Sequence, residues 1–273
     1  MKAFKPILVL FLGLFTISSF GQTQSIRQVD LSAAETDNII KKFTANEHEF
    51  REALNVYAFD RSATVQSIGM GGQISGVYRR DSFMTFTGDG ARFERVTYAP
   101  VSTLKEFSIT PQDLEDLGGV NPFALEPSAV AQYNFRFVGK EKIDELDLYV
   151  FDVVPKVIPD PKKSKLRLFT GRVWVDDRDL MIVKSKGKAV PEDKNNKYPI
   201  VETWRENVDG KYWFPSLSLA DDTLEFDRYS VRMKLRVKYE NYRLGRSDVK
   251  IVEEDAETPV EEPKPSPSPT PKP

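Results

Sequence analysis

The 273-residue sequence contains no cysteine and a single histidine, His48. Disulfides, thiolate metal sites and cysteine nucleophiles are therefore excluded, and any Ser-His-Asp constellation has one candidate for its base. An excess of charge of either sign is missing too. With 39 basic and 41 acidic residues the formal net charge is −2, which supplies no global attraction to nucleic acid. Beyond the N-terminal stretch no segment approaches the roughly 20 apolar residues of a spanning helix. What remains is an aromatic-rich chain, with 18 Phe, 10 Tyr and 3 Trp, of a length that suits one large domain or two small ones.

The two ends differ in composition from the body. Lys2 and Lys5 precede an apolar run from Ile7 to Phe15, and Ser19-Phe20-Gly21 gives a small-x-small pattern before Gln22. This is the pattern of a secretory signal peptide over residues 1–21, shorter than a membrane span. The expected mature protein begins near Gln22 in the periplasm and, without cysteine, carries no lipid anchor. From residue 253 to 273 the chain is acidic (Glu253, Glu254, Asp255, Glu257, Glu261, Glu262) and then alternates proline with Lys, Ser and Thr. Such a segment has nothing to bury and reads as a disordered tail. It is either plainly solvated or a docking strip for an envelope protein partner.

Between the ends, residues 22–252 read as one domain. Ser32-Ala33-Ala34-Glu35 fits a capping box, and Ile39, Ile40, Phe43, Phe50 and Leu54 then form an apolar helical stripe. His48 falls with Thr44, Arg51 and Glu52 on the opposite, polar face, which reads as exposed and not catalytic. After Asn55 the hydrophobic period changes from 3.6 to 2, and ten strand-like segments follow. Gly88-Asp89-Gly90 is a hairpin turn and not a phosphate loop, because a strand follows it where a phosphate loop requires a helix N-terminus. The last strand is the plainest: Val231, Met233, Leu235, Val237 and Tyr239 alternate with Arg232, Lys234, Arg236, Lys238 and Glu240. One face is covered and one is wet, as in an antiparallel sheet.

Between the third and fourth strands lies an insertion over about 104–131, with a helix start at Thr110-Pro111, a stop at Gly118-Gly119 and a second short turn at Pro127-Ser128. It carries Leu104, Phe107, Leu114, Leu117, Phe123 and Leu125, enough apolar surface to pack across a sheet face. Elsewhere, Asp176, Asp177 and Asp179 suggest calcium ligation, but a charged hairpin tip is more often solvated. The row Arg232, Lys234, Arg236, Lys238 suggests peripheral contact with anionic lipid, against which stands the neutral body. No spacing of catalytic groups is recognisable, and no cofactor or metal site is expected.

The order helix, strands, short helical insertion, strands resembles the LolA-like fold of periplasmic lipoprotein carriers and outer-membrane lipoprotein-sorting proteins. The closest wording is Gly171-Arg172-Val173-Trp174-Val175-Asp176 with Leu180-Met181-Ile182-Val183, then Glu202-Thr203-Trp204 and Asp209-Gly210-Lys211-Tyr212-Trp213-Phe214-Pro215. The resemblance implies a mainly β fold with α: a strongly curved antiparallel sheet, an incomplete barrel, with an N-terminal helix and a short helical lid. It further implies a non-catalytic, monomeric periplasmic protein that carries a lipid or an acylated lipoprotein toward the outer membrane. Ligand contacts would fall on Leu104, Phe107, Leu114, Leu117, Phe123, Leu125, Phe135 and Phe137. On the residues alone, these phenylalanines fit a solid core as well as a cavity wall. An envelope sensor or scaffold acting through protein contacts is the alternative within the same fold.

If the tail has nothing to bury, truncation after Ile251 leaves the melting temperature within about one degree of the full chain. A thermal melt checks this, and a drop of several degrees would place the tail in the fold.

Overall fold

The computed structural model describes residues 25–88, 90–110, 113, 125–164 and 166–245. The expected leader, the acidic tail, and Leu114, Leu117 and Phe123 of the insertion lie outside the described residues.

Helix α1 (Ala33–Leu54) begins at the expected capping box. Ser32 Oγ accepts from the Glu35 amide at 3.2 Å, and the Glu35 carboxylate accepts from the Ser32 amide at 2.8 Å. Its covered stripe holds Ile39, Phe43, Phe50, Ala53 and Leu54 as the periodicity requires, together with Thr44 and Glu47. Thr44 therefore departs from the expected wet face. Its hydroxyl donates back to the Ile40 carbonyl at 2.8 Å, so burial leaves no polar atom unpaired. His48 is exposed, as expected, with Nδ1 3.6 Å from Glu126.

Ten strands follow: β1 (Tyr57–Ile68), β2 (Ile74–Phe86), β3 (Arg92–Tyr98), β4 (Tyr133–Ile143), β5 (Leu146–Pro155), β6 (Leu168–Asp176), β7 (Ile182–Val190), β8 (Val201–Val208), β9 (Tyr212–Glu225) and β10 (Ser230–Leu244). They form one antiparallel sheet in the order β3-β2-β1-β10-β9-β8-β7-β6-β5-β4. The first strand pairs with the last over most of its length, from Tyr57 opposite Leu244 to Ile68 opposite Arg232. Strands β3 and β4 are the two edges, so the sheet is open and not a closed barrel, in agreement with the expected class. On β10 the alternation predicted from sequence holds: Val231 to Tyr239 are buried on one face while Arg232, Lys234 and Arg236 are exposed on the other.

Strands β3 and β4 are consecutive in the chain yet lie at opposite edges, so the connection leaves one edge and returns at the other. Its described residues 104–110 lie over the covered face. At its start, Thr103 lies against β2: its amide donates to the Val77 carbonyl at 2.9 Å, and its hydroxyl accepts from the Val77 amide at 2.9 Å. Gly76 permits this approach, since a Cβ there would sit 2.7 Å from the Thr103 carbonyl oxygen and 2.9 Å from Leu104 Cα. At the far end a four-residue helix, α2 (Pro127–Val130), leads into β4, and Glu126 just before it pairs with Arg51 of α1.

Helix α1 lies on the same face and joins two core clusters. Its first half places Ile39 and Phe43 with Phe151, Val153, Val173 and Val175 of β5 and β6. Its second half places Phe50 and Leu54 with Phe59, Val65, Phe214 and Val237 of β1, β9 and β10. Each such fully buried side chain contributes about 1.5–3 kcal/mol by area removed from water. One helix thus ties together strands from both halves of the sheet.

A polar knot sits among the inward residues of β1 to β3. The Glu94 carboxylate accepts from Arg80 at 2.8 and 3.0 Å, from the Ser82 hydroxyl at 2.5 Å and from buried Arg61. Arg80 and its neighbouring donors hold the Glu94 carboxyl down to about 2, from a usual 4.5. A depressed carboxylate stabilises the fold above its unfolded pKa, and the gain is lost as pH falls through the folded value. The expected outcome is a melting temperature that declines from about pH 4.5 toward about pH 2 in the wild type and declines less in Glu94→Gln. Melts across that range check the sign, and parallel curves for the two proteins would remove Glu94 from the acid response.

Candidate functional site

The covered face is not filled throughout. A cavity of about 750 Å³ opens beside α1, over strands β1 and β7 to β10, beneath residues 106–110. Its floor follows from strand alternation. On β10, Tyr239, Val237, Leu235 and Met233 face it in succession from the α1 end toward the turn at Phe226–Tyr229. On β8 the same direction runs through Arg205, Thr203 and Val201 to the loop at 194–199. Phe107 and Ile109 of the crossing segment form the roof, and the Tyr229 hydroxyl donates to the Glu106 carbonyl at 3.3 Å, joining roof to turn.

The end of the cavity against α1 is polar, and its dominant interaction is an ion pair. Arg205 donates from Nη1 to Glu47 Oε1 at 2.6 Å and from Nη2 to Oε2 at 2.9 Å, with a further bond from Nη1 to the Ile182 carbonyl at 3.2 Å. The Glu47 side chain is fully buried, and the guanidinium also lies 4.2 Å from the centre of the Phe50 ring. A carboxylate withdrawn from water to this degree is tolerable only with its cation and its hydrogen bonds in place. The two-point geometry fixes the rotation of α1 over β8.

Beside that pair runs a row of hydroxyls across the floor. Ser185 on β7 is the cross-strand partner of Thr203 on β8, and Thr203 is that of Ser218 on β9. Thr203 Oγ1 and Ser218 Oγ are 2.8 Å apart. Ser218 is also hydrogen-bonded to the hydroxyl of Tyr239, whose pKa burial pushes up to about 12. All four residues line the cavity.

The residues expected to touch ligand are divided by the fold. Phe107 lines the cavity. Leu104 packs on the same core cluster beside it, outside the lining. Leu125, Phe135 and Phe137 join the other cluster, where Phe135 meets Phe43 at 5.9 Å between ring centres and Phe137 meets Phe151 at 5.4 Å. Leu114, Leu117 and Phe123 fall outside the described residues. The sequence reading passed over Glu47, Arg205 and the hydroxyl row. A glutamate set between Phe43 and Phe50 on an apolar stripe is the signal that would have found the pair, because a charge at such a position requires a buried partner.

The other sequence candidates are occupied with local structure. Asp179 accepts from the Met181 amide at 2.9 Å and from Trp213 Nε1 at 2.9 Å, Asp176 accepts from the Arg178 amide, and Asp177 pairs with Lys140. Among the described residues no group of His, Asp and Glu is arranged to hold a metal ion. Of the basic row, Arg232 and Lys234 share Asp221, and Lys238 pairs with Glu240.

No protein-family model and no curated protein matches the chain. Among solved structures it is similar to a DUF1329 family protein from Desulfovibrio piger, at 13% identity and a TM-score of 0.35 over 76% of this chain and 95% of that one. A LolA superfamily protein from Nitrosomonas europaea matches at 13% identity and a TM-score of 0.32, over 74% and 94%. MucB from Pseudomonas aeruginosa, in a complex with MucA, matches at 11% identity and a TM-score of 0.23, over 72% and 94%.

Removing one member of the buried pair leaves the other charge without a partner. Arg205→Met is expected to cost about 3–5 kcal/mol, and the double variant Glu47→Leu/Arg205→Met to regain most of that loss. Denaturant unfolding of both variants and the wild type measures it. Equal losses in the single and double variants would mean that packing, not charge, sets the cost.

Proposed function

We propose that this protein is a non-catalytic periplasmic binding protein that takes the acyl chain of a lipid or of an acylated lipoprotein into the cavity beside α1 and carries it toward the outer membrane. The observation that carries this reading is the cavity itself. Its volume of about 750 Å³ lies within the span of small-molecule sites, about 300–1,000 Å³, and a large part of its floor and roof is aliphatic and aromatic. Val65, Val201, Leu224, Met233, Leu235 and Phe107 present no group that a hydrocarbon chain would have to desolvate. An enzyme site would need positioned acid and base groups, and among the charged side chains of the wall Arg205, Lys188 and Asp113 are already engaged, with Glu47, Glu192 and Arg167. The leader-like N-terminus supports export, and the Pro-rich tail suits an envelope partner.

A second reading, a sensor or scaffold working through protein contacts, draws on the open edge β3, where Phe93, Val96 and Tyr98 are exposed. An unpaired edge with apolar side chains is a template for an added strand.

The test is titration of the full chain with a fluorescent fatty-acyl probe, together with mass spectrometry of lipid extracted from the purified protein. Saturable binding is expected. Phe107→Asp, which places a charge in the roof, should weaken it by about tenfold or more while the melting temperature changes little. Absence of probe binding and of copurified lipid in the wild type would overturn the carrier reading and favour the scaffold.

A further inference from the structure

The cavity is asymmetric along its length, and the asymmetry bears on which way a ligand lies. At the α1 end stand Arg205, Ser185, Thr203, Ser218 and Tyr239. In the middle stand Val201, Leu235, Met233 and Leu224. At the open end Lys194, Lys197 and Arg228 project from the loop and the turn. A site built only to hold hydrocarbon has no use for hydroxyls on its innermost wall, where each loses water and gains nothing from a methylene. Ser185 is the sharpest case. It faces the cavity, and its hydroxyl makes no hydrogen bond among the described residues, while its neighbours Thr203 and Ser218 bond each other.

We infer that the inner end is a subsite for an uncharged, hydrogen-bonding head group, an amide, ester or hydroxyl, and that the ligand enters head first with its chain pointing to the loop at 194–199 and the turn at Phe226–Tyr229. This inference rests on the acyl-binding reading above, narrows it to a lipid with a small head group, because a protein attached to the head could not enter the inner end, and adds orientation and head-group class. The charge arithmetic of the wall decides the class. Arg205 is the cation at the inner end, and both its Nη atoms are held by Glu47, itself fully buried. The wall is therefore neutral overall. A carboxylate or phosphate brought there gives up its water without an unanswered positive charge to meet it, and an ammonium fares no better. A neutral amide or hydroxyl both donates and accepts, as does the row Ser185, Thr203, Ser218 and Tyr239. Lys194 and Lys197, at the rim, are where an anionic head would stay instead, in the reverse orientation.

The experiment displaces N-phenylnaphthylamine from the full chain with four ligands of one chain length: dodecanamide, dodecanol, dodecanoate and dodecyltrimethylammonium. The amide and the alcohol are expected to compete about tenfold better than either ion. Ser185→Ala and Thr203→Val should each reduce that preference about three- to tenfold, and Thr203→Ser should retain it. Ser185→Ala breaks no bond within the protein, so its melt should match the wild type and isolate the effect from folding. In a second arm, an acyl amide with a diazirine next to the head should label peptides of α1 and β8, and one with the diazirine at the chain end should label residues 106–110 and 226–229. Equal displacement by all four ligands, tighter binding of dodecanoate, or the reversed labelling pattern would overturn the head-first assignment and leave the acyl-binding reading standing. Failure of the dye and all four ligands to bind would remove both.

Discussion

Strands β3 and β4 follow one another in the chain and lie at opposite edges of a ten-stranded sheet, and most of the architecture answers to that separation. The described start of the connection, residues 103–110, lies on the apolar face of the sheet, where its own apolar side chains are covered. Once there, it acts as a roof. Gly76 lets its backbone touch β2, Leu104, Phe107 and Ile109 rest on the core of β1, β9 and β10, and α2 meets α1 at the other side. A hairpin between β3 and β4 would have left the same face open to water. The cavity lies beneath residues 106–110, and this stretch is tied to β2 through Thr103 and to the turn at Phe226–Tyr229 through Glu106.

Helix α1 supplies the remaining wall, and its position is set by two kinds of force. Burial of Phe43, Phe50 and Leu54 holds it against the sheet without fixing where it slides or turns, because dispersion and hydrophobic contact have little directional preference. The Glu47–Arg205 pair supplies the direction. Two parallel hydrogen bonds tolerate little rotation, and leaving either charge alone in that setting is costly. The same pair removes net charge from the inner wall, so one interaction both seats the helix and defines the chemistry that the end of the cavity offers.

Much of this was legible in the sequence. The capping box at Ser32 and Glu35, the change of period after Asn55, the ten strands and the two-sided pattern of β10 all follow from local rules, and the structure reproduces them. The site was harder to read. Phe135 and Phe137 share a strand face, as sequence shows, but whether that face meets solid core or open space depends on strands far away in sequence and on Phe43 crossing above them. Thr44 looked polar because side-chain type says nothing of the carbonyl four residues back that satisfies it. The hydroxyls Ser185, Thr203 and Ser218 are unremarkable one at a time. Their meaning comes from a cross-strand register that joins three strands, and no periodicity within one strand encodes a register between strands.

The pairing of β1 with β10 has a consequence for how the chain reaches its native state. Nearly the whole folded domain lies between these two strands, so one of the most extensive contacts in the sheet is among the most distant in sequence, a topology that slows folding. As the chain is made or threaded from its N-terminus, the β1–β3 meander stands with one flank of β1 unpaired until the last strand arrives. Strands β4 to β9 can zip as successive hairpins in the meantime, but they join β1 to β3 only through β10. A chain cut short of Ser230 would present two sheet fragments with open edges at β1 and β9, each a template for self-association. The final strand pairs with β1 on one side and β9 on the other, so the C-terminal end of the domain closes both of these edges at once.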